Sequence, residues 1–240
     1  MTKVSDQVRQ RRLVISAAAS SEIDVESAPD LIGAWIDEAA DALAERGWFC
    51  REDAISPAVL EAVSDDLEHL IEDDRLKRAG VGREGDFQLD REVRRDWIFW
   101  LNRQRPVQAE FLELAEQIRL ALNRRLFLAL FEFEAHLALY PPGAFYRRHV
   151  DSFRGAANRM VSLVVYLNRA WHPGDGGELV LYRPQTAEEM VRIAPCAGTL
   201  LLFMSEEIEH EVLPTRTDRA SIAGWFRLNN TTADYPDPPR

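Results

Sequence analysis

Apolar positions along this chain change their period near residue 130. Ahead of that point the spacing is helical. Residues 31–46 set Ile32, Trp35, Ile36, Ala39, Ala40 and Leu43 on one face, with Asp30 placed to cap the start and Gly47 to stop the run. A short apolar stretch, Trp48-Phe49-Cys50, reads as a strand. Ser56-Pro57 then has the form of an N-cap and first helical position, and Leu60, Val63, Leu67, Leu70 and Ile71 carry a buried stripe to about residue 73. A third helix is predicted over 106–125 from Phe111, Leu114, Ala115, Ile118 and Leu122. Between the last two helices, residues 80–96 combine three glycines with a dense run of charges, which predicts a mobile loop leading into Trp97–Leu101.

Beyond residue 130 the pattern alternates. Phe131, Phe133, Ala135, Leu137 and Leu139 share one face of a strand. Further strands are predicted at Phe145–Asp151, Met160–Asn168, Glu178–Arg183, Met190–Pro195, Thr199–Met204, Glu211–Thr215 and Arg219–Leu228, separated by Pro-Pro-Gly, Pro-Gly-Asp-Gly-Gly and Ala-Gly turn signals. Eight short strands predict a sandwich or jelly roll whose sheets close over a cavity. The fold class is therefore mostly β with N-terminal helices (α+β). The expected layout is a flexible tail over 1–30, a helical part over 31–127 that contains the 80–96 loop, a β core over 128–230 and a C-terminal tail over 231–240.

Composition narrows the partners. With 29 basic and 40 acidic side chains in 240 residues, the formal charge is −11. That balance opposes binding to phosphate backbones and anionic lipid, which depends on clustered cations, so neither nucleic acid nor membrane is an expected partner. No apolar run reaches the roughly 18 residues of a membrane span. Arg9, Arg11 and Arg12 precede the apolar run Leu13–Ala19 as in an export signal, but that run is short and broken by Ser16, so the expected location is the cytoplasm. Cys50 and Cys196 have neither metal-ligand spacing nor the density of a disulfide scaffold and are expected as reduced thiols.

Chemistry concentrates in the β half. His149 and Asp151 are two apart on a predicted strand, a spacing that sends both side chains to one face, and His210 follows near the start of another strand. Two imidazoles and one carboxylate can hold one face of a metal, the set that suits non-haem Fe(II) and leaves positions open. The bland alternative is a surface ion pair beside a core histidine. Alternation on the last strand places Arg219 with the small residues Ser221 and Ala223, leaving room for a guanidinium to grip a carboxylate. His172 falls in a turn, His69 among acidic helix residues and His136 on an expected strand surface, so none of these is a candidate ligand.

His149-Val-Asp151, Val165-Tyr166-Leu167-Asn168, Gly176-Gly177-Glu178-Leu179, Leu200 through Phe203, His210-Glu-Val-Leu-Pro214 and Arg219 through Trp225 resemble, in order and spacing, the 2-oxoglutarate and Fe(II)-dependent prolyl hydroxylases, above all the oxygen-sensing branch and its bacterial relatives. The likeness is strong over 140–228 and extends more weakly back to about residue 40, through Arg46–Cys50 and Val93–Trp100. The resemblance implies a double-stranded β-helix holding iron through His149, Asp151 and His210. It implies that Arg219 and the Tyr166 hydroxyl take the distal carboxylate of 2-oxoglutarate, that Tyr140 lines the pocket, and that Arg159 and Arg94 lie near the substrate. A departure is Ala223, where the oxygen-sensing enzymes carry a hydroxyl.

The implied activity is a dioxygenase that consumes O2 and 2-oxoglutarate, releases succinate and CO2 and hydroxylates a prolyl residue of an intracellular protein, with L-ascorbate as reductant. The alternatives are the same mechanism on another side chain or a small molecule, and a non-catalytic β-helix that binds a partner. Arg91, Arg94, Arg95 and Arg159 are further expected to form a basic rim that attracts an acidic peptide despite the overall charge.

Overall fold

A computed structural model describes residues 30–80, 92–151, 158–186 and 188–229, with the side chains of residues 30–34 left aside. Three helices among them, α1 (Asp30–Arg46), α2 (Pro57–Glu72) and α3 (Pro106–Leu126), lie where the helical spacing predicts. On α1, Trp35, Ile36, Ala39, Ala40 and Leu43 are buried, while the Ile32 side chain lies outside the described set. Ser56 caps α2 by accepting from the Val59 amide at 3.4 Å, and Pro57 opens the helix where a missing N–H does no harm. Phe127, in the left-handed conformation at φ 53°, ends α3.

Among the described residues eleven strands follow in chain order: β1 (Trp48–Arg51), β2 (Lys77–Arg78), β3 (Trp97–Trp100), β4 (Glu132–Tyr140), β5 (Tyr146–His149), β6 (Arg159–Tyr166), β7 (Leu179–Tyr182), β8 (Glu189–Ile193), β9 (Leu200–Met204), β10 (His210–Val212) and β11 (Arg219–Arg227). They form two antiparallel sheets, a large one in the order β1-β9-β6-β11-β4-β3-β2 and a small one in the order β5-β10-β7-β8. All eight strands expected after residue 130 are present, four in each sheet, with ends shifted by up to three residues. This is the jelly roll that the alternation predicts.

The large sheet has two apolar faces of different use. Leu137, Leu139, Val161, Leu163, Val165, Ile222 and Phe226 pack with the buried faces of the three helices in one core. Val164, Tyr166, Leu201 and Phe203 point the other way and pack with Leu179, Leu181 and Ile193 of the small sheet. Strict alternation along β6, β9 and β11 makes this possible, because each strand supplies both layers.

Two expectations need correction. Strands β2 and β3 were not foreseen, because Trp97-Ile98-Phe99-Trp100 has no alternation and follows a segment rich in charge and glycine. Its bulky side chains instead suit a strand beside β4, with Trp97 opposite Leu139 and Trp100 opposite His136. The second concerns the 80–96 loop. Residues 81–91 lie outside the described residues, but 92–96 are tied to β5 through an Arg94–Tyr146 bridge and through the Arg95 amide to the Phe145 carbonyl and the Arg147 amide to the Val93 carbonyl, at 3.1 and 2.9 Å. Cys50 and Cys196 are both free, and burial pushes the Cys50 thiol up to about 11. No helix among the described residues is long and apolar enough to cross a membrane.

Candidate metal centre

The sheets bring His149, Asp151 and His210 together. His149 ends β5 and lies directly opposite His210, the first residue of β10, while Asp151 sits two residues past the strand. Pairing stops at that histidine pair, which is why the strand predicted to reach Asp151 is shorter. One ligand atom from each of the three lies within 4.8 Å of the others. His149 Nε2 is 3.5 Å from Asp151 Oδ1, and His210 Nε2 is 3.7 Å from Asp151 Oδ2.

Each imidazole is oriented from behind. His149 Nδ1 lies 2.7 Å from the Arg147 carbonyl and His210 Nδ1 lies 3.3 Å from the Ile208 carbonyl. A carbonyl only accepts, so each Nδ1 carries a hydrogen, and Nε2 is the ring atom left to face the carboxylate. Tyr146 stacks on the His149 ring at 3.6 Å between centroids, and Phe203 supports His210 at 4.6 Å. Burial and the neighbouring His149 push His210 down to about 4, so it is neutral at physiological pH. Burial opposes ionisation of Asp151, but Arg159 and, whenever they carry a proton, the two histidines outweigh it and hold the carboxyl below the usual carboxylate range. His149 Nε2 is buried without a hydrogen-bond partner. An unpartnered buried imidazole nitrogen beside an ionised carboxylate and the neutral imidazole of His210 is the donor set that Fe(II) takes, so the residues fit that ion.

A cavity of about 290 Å³ opens from these ligands, and Tyr140, Arg219 and Ser221 line it. Arg219 heads β11 opposite Tyr140, and Ser221 lies opposite Tyr166. The Arg219 guanidinium is 3% exposed as a residue, donates from Nε to the Gly177 carbonyl at 2.7 Å, contacts Ser221 Oγ at 3.3 Å, and lies over the rings of Tyr140 and Tyr166 at 4.8 and 5.1 Å. Gly177 fits there because its φ is +77° and a Cβ would stand 3.0 Å from Arg219 Cδ. The Tyr166 hydroxyl is buried without a partner, and burial raises its pKa. Arg219 offers a cation at this end of the cavity and the unspent Tyr166 hydroxyl belongs to the ring packed beside it, a combination suited to a carboxylate.

The remaining wall departs from expectation. His136 is 3% exposed and lines the cavity, packed between Trp100 and Trp225 at 5.2 and 5.4 Å, with Nδ1 2.9 Å from the Ala223 carbonyl. It is no strand-surface residue: it shares parity with Tyr140, and that face of β4 is the inner one. That shared parity was the signal available in the sequence. Among the described residues, the expected basic rim is neutralised. Arg94 and Arg159 do line the cavity, but Arg94 is held by Asp96 at 2.8 and 2.5 Å, and Arg159 by Glu134 at 2.9 and 2.8 Å and over the Trp225 ring at 3.5 Å. Each guanidinium is neutralised by its carboxylate, and the pair carries no net charge. Arg95 pairs with Glu92 at 3.6 Å, and Arg91 lies outside the described residues.

Comparisons with known proteins agree with this geometry. The family model of the 2OG-Fe(II) oxygenase superfamily matches residues 135–227. A hypoxia-inducible factor prolyl hydroxylase of Caenorhabditis elegans is 37% identical over 95 residues, which are 38% of this chain and 13% of that protein, so the match spans a small part of its length. A crystal structure of a Pseudomonas putida prolyl-4-hydroxylase is 39% identical, with a TM-score of 0.74, over 80% of this chain and 99% of that one. A Trichoplax adhaerens prolyl hydroxylase, solved with a hypoxia inducible factor peptide fragment, shares the fold at a TM-score of 0.75 and 24% identity, over 85% and 94% of the two chains. With a relative this similar over nearly its whole length, and with the jelly roll and the cavity just described, the chain belongs to the 2OG-Fe(II) oxygenase superfamily, whose members use Fe(II), 2-oxoglutarate and O2.

Proposed function

We propose that this chain is a prolyl hydroxylase that binds iron through His149, Asp151 and His210 and acts on a proline in a protein or peptide. One observation carries the reading: the three ligands and the buried Arg219 open into a single cavity. Similarity to the Pseudomonas putida prolyl-4-hydroxylase supports the choice of proline, and the peptide complex of the Trichoplax adhaerens relative supports a peptide as substrate. The free cysteines support a reducing compartment such as the cytoplasm, where L-ascorbate would serve as reductant.

Bound Fe(II) would activate O2 at the expense of 2-oxoglutarate, giving succinate, CO2 and one oxygen atom inserted into a C–H bond. The protein's own part is positional. His149, neutral His210 and ionised Asp151 hold one face of the ion and leave the rest open. Arg219 and the Tyr166 hydroxyl bind the distal carboxylate of 2-oxoglutarate, and Tyr140 packs against the guanidinium. Trp100, His136 and Trp225 give the cavity an aromatic wall. Arg94 and Arg159, each paired with a carboxylate, shape this wall. The test is a panel of proline-containing peptides with Fe(II), 2-oxoglutarate and O2, read by mass. A gain of one oxygen on proline supports the reading, and oxygen found only on another residue or on a small molecule overturns it.

A further inference from the structure

Two buried hydroxyls stand behind Asp151. Ser162 of β6 is 1% exposed, and Ser205, the residue after β9, is 0% exposed. Ser162 Oγ donates to Asp151 Oδ2 at 2.6 Å and lies 2.9 Å from Ser205 Oγ. The backbone fixes Ser205 there, since its amide donates to the Met160 carbonyl at 3.0 Å. We propose that Ser205 and Ser162 form a one-way hydrogen-bond relay that positions Asp151 to bind the metal, on the reading that His149, Asp151 and His210 hold the iron.

The direction follows from counting hydrogens. A hydroxyl has one to give, and an ionised carboxylate can only accept. Ser162 therefore gives its hydrogen to Asp151, and the bond between the two serines must be donated by Ser205. The result is a single chain, Ser205 to Ser162 to Asp151 Oδ2, in which each bond polarises the next. The 2.6 Å separation lies in the range of charge-assisted bonds.

Asp151 needs this support because the ladder does not supply it. The last pair in β5 is His149 with His210, so the Asp151 backbone has left the sheet. Without Ser162 the carboxylate would be free to turn about its side-chain bonds. With it, Oδ2 is held from one side and Oδ1 is presented toward His149 Nε2 at 3.5 Å. The flanking residues Val161 and Leu163 are wholly apolar and face the helical core, so the serine is a local choice of this inward position. Ser162 and Ser205 are thus positioning residues that act through Asp151.

The experiment measures Mn(II) affinity calorimetrically, with the Co(II) absorption spectrum and the melting temperature, on the full chain and on Ser162→Ala, Ser205→Ala and Asp151→Ala. The relay predicts a 10- to 100-fold weaker Mn(II) affinity for Ser162→Ala and roughly a 3- to 10-fold weaker one for Ser205→Ala, with an altered Co(II) spectrum in both. Mn(II) affinity within twofold of the parent in both folded serine variants overturns the relay, even if their melting temperatures fall, since packing alone would explain that fall. Asp151→Ala separates the two claims. If it binds Mn(II) as tightly as the parent, the metal assignment itself fails, whereas a loss there without loss in the serine variants overturns the relay alone.

Discussion

Replacing Gly177 by Ala tests whether Arg219 anchors 2-oxoglutarate from a position set by the turn behind it. The added Cβ would stand 3.0 Å from Arg219 Cδ and 3.1 Å from both Thr215 Cβ and Oγ1. Relief requires a shift of a few tenths of an ångström. Thr215 is buried and tied to the Thr217 carbonyl at 2.8 Å, so Arg219 must absorb much of it. Two effects follow. Backbone strain at φ +77° costs about 1–2 kcal/mol, which for a chain of this size lowers the melting temperature by about 2–8 °C. Displacing the guanidinium also weakens a bidentate, charge-assisted contact worth about 1.5–3 kcal/mol. Loss of about half of it raises the KM for 2-oxoglutarate about 4- to 13-fold, with kcat at saturating co-substrate little changed. Steady-state kinetics against 2-oxoglutarate and a thermal melt check both. A KM within twofold of the parent beside the expected drop in melting temperature would refute the placement of Arg219 by Gly177, and no change in either would refute the clash.

Tyr166→Phe removes a buried hydroxyl that has no protein partner. It is expected to leave stability unchanged or raised while increasing the KM for 2-oxoglutarate about 5- to 15-fold, one hydrogen bond's worth; a destabilised variant with normal KM would show that the hydroxyl serves packing. Burial, aided by Arg94 and Arg159, pushes His136 from 6.5 down to about 3, so the unfolded chain takes up a proton that the folded ring refuses. Stability is therefore lost as pH falls below about 6.5, and His136→Gln should lose about 2–3 kcal/mol less than the parent between pH 7 and 4.5 in urea titrations. Parallel pH profiles would contradict this. Glu134→Leu leaves the half-buried Arg159 without its carboxylate and removes one of those facing the fully buried Arg227. A cost of about 3–5 kcal/mol is expected, lowering the melting temperature by at least about 6 °C, and a smaller shift would mean that the pair is solvated.

How much of this was legible depends on whether a signal was local. Helical spacing on 31–46, the Ser56-Pro57 start and the alternation after residue 130 each reflect burial of one stripe, and those elements stand where the spacing puts them. The metal trio was legible because the parity of His149 and Asp151 survives the early end of β5. His136 was misread because parity alone does not say which face of β4 is closed by a second sheet; its partner Ala223, on the Arg219 side of β11, carries that information. The charge of Arg94 and Arg159 was visible, but pairing with Asp96 and Glu134 depends on burial. Ser162 and Ser205 lie 43 residues apart and meet only because β6 pairs with β9.

The central claim is that His149, Asp151 and His210 make this cavity an iron site that consumes 2-oxoglutarate. Its most direct test is Fe(II)-dependent formation of succinate from 2-oxoglutarate, followed by NMR in the parent and in folded Asp151→Ala. The account predicts steady succinate production by the parent and none above background in the variant. Equal production by the two proteins would contradict it.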